Sequence, residues 1–185
     1  MQLLPYINKP IIKAVVSSFA QGDGLDKVQA VLSAILNYYF LIANSFLVSF
    51  SSETPQKLPP YFNIRRQNQN GELQHWAMLF ILDKVVTSAW TEELYPMLQT
   101  VIPKDRGCWI ILWRGPKLHF FSYLNTADKS NELDKCVHDE VASGSLHIRH
   151  DSTQIHRNFN LILHTVPQLK GPVSKGAKDL SKGTA

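Results

Sequence analysis

Five of the seven histidines lie between residues 138 and 164, at positions 138, 147, 150, 156 and 164, with His119 upstream and Cys136 two residues before His138. Imidazole and thiolate are ordinary ligands of zinc, so this set could supply a metal site, with Cys136 and His138 as its candidate ligands. The two share a face if their segment is extended. Strand geometry sends His147 and His150 to opposite faces, and no closed ligand spacing results. Histidines on the solvated side of strands explain the pattern more simply, so no metal or other cofactor is expected. A cysteine nucleophile with His138, His147 or His164 could perform hydrolysis, but only with an acid to orient the base. Neither a G-x-S-x-G elbow nor a cysteine-protease signature is present. A hydrolase or metal-dependent enzyme using this Cys/His-rich half is therefore an alternative, and a non-catalytic role is preferred.

Binding chemistry has more material. The run GCWIILWR-GPK-LHFFSYL predicts two strands around a proline-glycine turn. A three-residue loop, Gly115-Pro116-Lys117, would set Arg114 opposite Leu118. It would also bring Trp113 near His119, Ile111 near Phe121, and Trp109 near Tyr123 on one face. Neither face is polar, so the hairpin is either covered on both sides or offers an aromatic surface to a partner. Trp109, Trp113, His119, Phe121 and Tyr123, with Arg149, are the candidate contact residues. A second alternative is RNA or single-stranded nucleic acid, because bases stack on aromatic rings beside basic groups. Its candidate contacts are Arg65 and Arg66 (near Tyr61 and Phe62), His147, Arg157 and Lys170.

Charge limits that alternative. The formal net charge is +4, and the segment from Lys170 onward holds four lysines and one aspartate, a net +3. The remainder is thus close to neutral and has no general attraction for polyanions. Two cysteines, no glycosylation sequon and a poor secretory start point to an intracellular, cytoplasmic chain.

The elements that must position these residues follow from hydropathy. Val28 to Phe50 carries no charged side chain, and the stretch Leu25 to Phe50 is predicted to be one long helix. A polar seam of Asp26, Ser33, Asn37 and Asn44 would face solvent or polar contacts, while Ile35, Tyr39, Ile42 and Phe46 would be buried. Its asparagines and serines argue against a membrane span. A short helix precedes it, from Pro10 to Phe19. Glu72 to Trp90 is expected to be a second broadly apolar helix. The proline-rich connector between the two helices is either functional, mobile or conceals a short strand around Tyr61 to Arg65. Ser145 to His150 reads as a half-exposed strand, Leu146 and Ile148 alternating with His147 and Arg149, and Ile155 to Val166 is expected to add another.

The fold class expected is α+β: an amino-terminal helical layer, 10–102, packed on a carboxyl-terminal antiparallel sheet, 107–166. Residues 1–169 would form a single domain, and 170–185 a flexible basic tail. The role expected is a protein-interaction or assembly module, binding a protein partner or a second copy of itself. Nucleic acid is the alternative partner and a membrane is disfavoured.

Overall fold

The computed structural model describes residues 5–20, 22–52, 59–82, 88–125, 134–135 and 144–165, giving backbone alone at 43, 88–93 and 134–135. The fold is α+β: amino-terminal helices pack on a mixed antiparallel and parallel sheet.

Helix α1 runs Pro10–Ser18 and α2 runs Leu25–Tyr39. Proline at the first helical position starts α1, where a missing N–H costs nothing. The face predicted for α2 is the one it buries, through Val28, Val31, Leu32, Ile35, Leu36 and Tyr39, while Asp26 and Asn37 are exposed. The long helix, however, stops eleven residues before Phe50, at Tyr39. A short 3-10 turn, Ile42–Asn44, follows, and Ser45 adopts φ 65°, a left-handed conformation that breaks a helix. The chain then continues as strand β1, Phe46–Ser51. Ile42, expected inside, is 81 % exposed.

Strand β2 is Tyr61–Gln67 and β3 is Leu73–Leu82, so the expected helix from Glu72 to Trp90 is replaced by a strand over most of its length. Ala77 to Leu82 are all buried, because this strand is central and covered on both faces. A strand of that kind reads as a continuous apolar run and shows no alternation. Helix α3, Ser88–Val101, with Pro96 inside it, then crosses over to β4, Gly107–Arg114, which lies parallel to β3. Strand β5, Lys117–Leu124, returns antiparallel to β4. Two short strands, β6 (Asp134–Lys135) and β7 (Leu146–His147), both pair with β5. The sheet order is β1-β2-β3-β4-β5-β6, with β7 also on β5, so the sheet is mixed where an antiparallel one was expected. Three strands likewise occupy part of the segment, 10–102, expected to be wholly helical.

The last described element is helix α4, Ser152–His164, where a strand was expected from Ile155. Ile155, Phe159, Ile162 and Leu163 are its buried face, at spacings of four, seven and eight residues. The same letters also alternate through Phe159, Leu161 and Leu163, which is why two periods compete. Helices α1, α2 and α4 cover one face of the sheet and α3 covers the other, giving two apolar cores. The first holds Ile64, Leu79, Ile111, Trp113 and Phe159; the second holds Phe80, Leu98, Cys108, Ile110 and Tyr123. Among the described residues no helix is long and apolar enough to cross a membrane. The expected tail, 170–185, lies outside the described residues.

Polar bonds fasten the helices to the sheet. Trp76 Nε1 donates to the Ile162 carbonyl at 2.6 Å and Trp109 Nε1 to the Thr165 carbonyl at 2.9 Å, so two sheet indoles bind carbonyls at the end of α4. Buried His156 has the Tyr39 hydroxyl at its Nδ1, 2.8 Å away, and the Asn160 side-chain amide at its Nε2, 2.9 Å away. That bridge joins α2 to α4 across the first core.

Candidate functional site

Strands β4 and β5 form the aromatic hairpin, but in a register one residue from the expected one. Arg114 pairs with Lys117, Trp113 with Leu118, Ile111 with Phe120 and Trp109 with Ser122. The loop is two residues, Gly115-Pro116, with Gly115 at φ 55°. Glycine in first place and proline in second suit a tight hairpin turn. A slip of one residue sends every side chain of a strand to the other face. Trp109 and Trp113 therefore lie in the core under α1, α2 and α4, whereas Phe121 and Tyr123 pack on the α3 side, and by alternation His119 lies there too. Trp109, Trp113 and Tyr123 are buried, so they offer no area to a partner in this fold. His119 and Phe121 are half-buried. The expected common aromatic surface is thus divided between two cores.

Arg149 is also engaged internally. Its Nε donates to the Val16 carbonyl at 3.2 Å, and its Nη2 donates to the carbonyls of Ser17, at 3.1 Å, and Phe19. It caps the carboxyl end of α1 with a positive charge, where the helix dipole favours one. Arg149→Met should lower stability by about 1.5–3 kcal/mol, since it strips charge-assisted bonds from carbonyls. Urea unfolding of the two chains measures this.

The nucleic-acid candidates do not converge. Arg66 stacks its guanidinium over Phe46 at 5.2 Å and Trp76 at 4.7 Å. Arg65 sits half-buried beside it, and its Nε is buried with no hydrogen-bond partner. His147 lies on β7, separated from β2 by β3, β4 and β5. Its amide donates to Asp151 Oδ2 at 2.7 Å and its ring is 4.4 Å from that of His150. Partial burial first, then the charge of His150, lowers its pKa. Arg157 is exposed on α4. Lys170, Cys136 and His138 lie outside the described residues. Among the described residues no group of three or more His, Cys, Asp or Glu is arranged to hold a metal ion.

Cys108 is fully buried, and burial pushes its thiol well above the ordinary cysteine range, which makes it a poor nucleophile. One cleft of about 380 Å³ opens where β3 and β4 begin, bordered by Glu72, His75, Ile102 and Arg106. The His75 ring lies 3.0 Å from Asn63 Oδ1. Burial, then the Arg65 charge, lowers its pKa below the ordinary 6.5. The folded chain therefore holds fewer protons at this ring than the unfolded chain around that pH. Stability contributed here is present above pH 6.5 and falls as pH drops through the lowered folded-state value. His75→Gln should flatten the decline in unfolding free energy between about pH 7 and pH 5, as read from urea midpoints at the two pH values.

The site not foreseen is the outer edge of β1. Among the described residues strand β1 ends the sheet and pairs only with β2, in an unbroken register from Phe46↔Arg66 to Ser51↔Tyr61. The Gln67 amide donates to the Ser45 carbonyl at 2.8 Å, which fixes the phase of this ladder. Hydrogen-bonded pairs then recur at Leu47, Ser49 and Ser51, and the main-chain groups of Phe46, Val48 and Phe50 point away from β2. The Phe46 amide donates back to the Leu41 carbonyl at 3.3 Å. Among the described residues nothing bonds the outward amides and carbonyls of Val48 and Phe50. Phe46, Val48 and Phe50 turn their side chains to the first core, where Phe46 is buried and the other two are half-buried. Leu41 and Ile42, just before the strand, are 45 % and 81 % exposed. The sequence signal is the alternation Phe46-x-Val48-x-Phe50, submerged in a longer apolar run. No family model, curated protein or solved structure matches the chain.

Proposed function

We propose that this chain is a protein-interaction module whose contact surface is the open edge of β1, where a partner adds an extended strand. The observation that carries the reading is the row of outward main-chain groups at Val48 and Phe50, left without partners among the described residues. An unpaired row of N–H and C=O groups is a template for another strand, and backbone bonds then supply affinity while adjacent side chains supply selectivity. Proteins usually guard such edges with charge, proline or bulges. Here residues 46–51, FLVSFS, contain no charge and no proline, and their pairing to β2 has no bulge. Exposed Leu41 and Ile42 extend the apolar character of this edge. The nucleic-acid alternative draws less support, since Arg66 and Arg149 are engaged by rings and carbonyls of their own chain and His147 lies across the sheet from Arg65.

Amide exchange and a designed ligand test the reading. In the dilute chain the amides of Val48 and Phe50 should exchange rapidly while those of Leu47 and Ser49 are protected. A short peptide of alternating threonine and valine should slow both outward amides. Val48→Pro removes one outward donor without breaking the β2 ladder, and should weaken peptide binding by about tenfold, as read by fluorescence anisotropy. Slow exchange at Val48 and Phe50 in the free chain, or peptide binding unaffected by the proline, overturns the reading.

A further inference from the structure

We infer that the strand added to the β1 edge is β1 of a second copy, paired antiparallel about a two-fold axis at Val48. This inference rests on the strand-addition reading and supplies its partner. The outward residues are symmetric about Val48, with Phe46 two positions before it and Phe50 two after. In an antiparallel pair centred there, Val48 meets Val48 of the other copy, and each Phe46 meets a Phe50. An interface about a two-fold axis must be self-complementary in this way, residue i meeting j while j meets i.

The same register pairs every outward group of Val48 and the Phe50 amide, and leaves only the Phe50 carbonyl facing an amide, that of Phe46, already given to Leu41. Outward residues on facing edges form the hydrogen-bonded pairs of an antiparallel ladder. The two Val48 residues exchange both of their bonds, and each Phe50 amide finds the Phe46 carbonyl of the other copy. That carbonyl remains an acceptor even though the Phe46 amide donates to Leu41 within its own chain. Phe46 and Phe50 both lie on the helix-covered face of β1, so each phenylalanine of one copy has an aromatic neighbour from the other on that face. On the opposite face Leu47 comes beside Ser49.

Charge selects in the same direction. From Val28 to Ser52 there is no aspartate, glutamate, lysine or arginine. Apart from Arg66 over Phe46, a charged partner strand would find no complementary group at this edge, while two copies of the strand itself bring no like charges together. Opposed like charges are the usual way of preventing this pairing, and the edge has none.

The test is the mass of the full chain by analytical ultracentrifugation across a concentration series, beside two variants. The expected result is a reversible dimer with a dissociation constant of about 1–100 µM, in the range of small interfaces. Val48→Pro should raise that constant at least about tenfold. Val48→Cys should form a disulfide-linked dimer on mild oxidation where the unmodified chain does not, because hydrogen-bonded antiparallel partners lie about 5.5 Å apart at Cα, within disulfide reach. The cysteine variant decides the matter should the proline variant lose its fold by circular dichroism. A monomer at every concentration, with Val48 and Phe50 amides that exchange rapidly, overturns the second copy as partner and leaves strand addition standing. A monomer with slow exchange at both amides overturns both readings, because the chain then covers its own edge. A dimer that survives Val48→Pro, and that gives no cross-link in the Val48→Cys variant, places the contact elsewhere and overturns the inference.

Discussion

Trp113→Ser should destabilise the whole chain by about 3–5 kcal/mol, within the range for large core truncations. Trp113 is 1 % exposed and meets Phe19 edge-on at 5.5 Å, so its ring closes the space between the sheet and the segment after α1. Against a total stability of about 5–15 kcal/mol, the loss should bring the thermal midpoint down steeply or leave the chain unfolded. Phe121→Ser is the informative contrast. Phe121 is half-buried on the other face of the same hairpin, so its replacement should cost about 1–2 kcal/mol and leave a cooperative transition. Equal effects at the two positions would contradict the one-residue hairpin register from which their separation follows. Calorimetry on the three chains measures the difference.

Phe159→Ala should be comparably damaging, at about 3–5 kcal/mol. Phe159 has no exposed surface and lies where α2, α4 and the sheet meet. Its ring stacks on Tyr39 with centroids 4.8 Å apart, and stands edge-on to Phe40 at 5.9 Å and Phe120 at 5.6 Å. Truncation opens a cavity between three elements and removes aromatic contacts worth about 0.5–1.5 kcal/mol each beyond burial. Phe159→Leu keeps most of the volume and should recover more than half of the loss. Urea titrations with unchanged slopes identify both effects as stability changes within the same fold.

The class of the fold and several pieces of it are legible in the chain. Pro10 marks the start of α1, periodicity places the apolar face of α2 as far as Tyr39, and the strand around Tyr61 to Arg65 is discernible despite the prolines before it. The departures share one physical origin. Continuous apolar runs carry no period, so Phe46–Ser51 and Leu73–Leu82 read as helix although both are strands. What decides between the two is the coverage of each face, which depends on elements distant in sequence. Helix α3, for example, covers β3 from the opposite side to α2. The hairpin departure is smaller in sequence and larger in consequence. A loop of two residues instead of three turns Phe121 and Tyr123 away from Trp109 and Trp113, and so divides the expected aromatic surface between two faces of the sheet. Arg149 escapes a sequence reading for a related reason, since the α1 carbonyls it binds are more than 100 residues away. The β1 edge cannot be foreseen while its residues are assigned to a helix, because an edge exists only once the strand order is known.

The bonds that reach across the chain also set an order of events during synthesis. Tyr6 donates to the Ile148 carbonyl, Arg149 closes α1, His156 joins Tyr39, and the two indoles wait for the end of α4. None of these fastenings can form until residues 148 and beyond have left the ribosome, and the indole bonds need residues near 165. At about 5–20 residues per second, β1 emerges roughly 6–23 seconds before the helix that completes the core above it. Throughout that interval an uncharged strand and its apolar neighbours stand uncovered beside other nascent chains. That interval is a period of exposure to misassembly set by the distance along the chain between β1 and α4, and slower translation lengthens it.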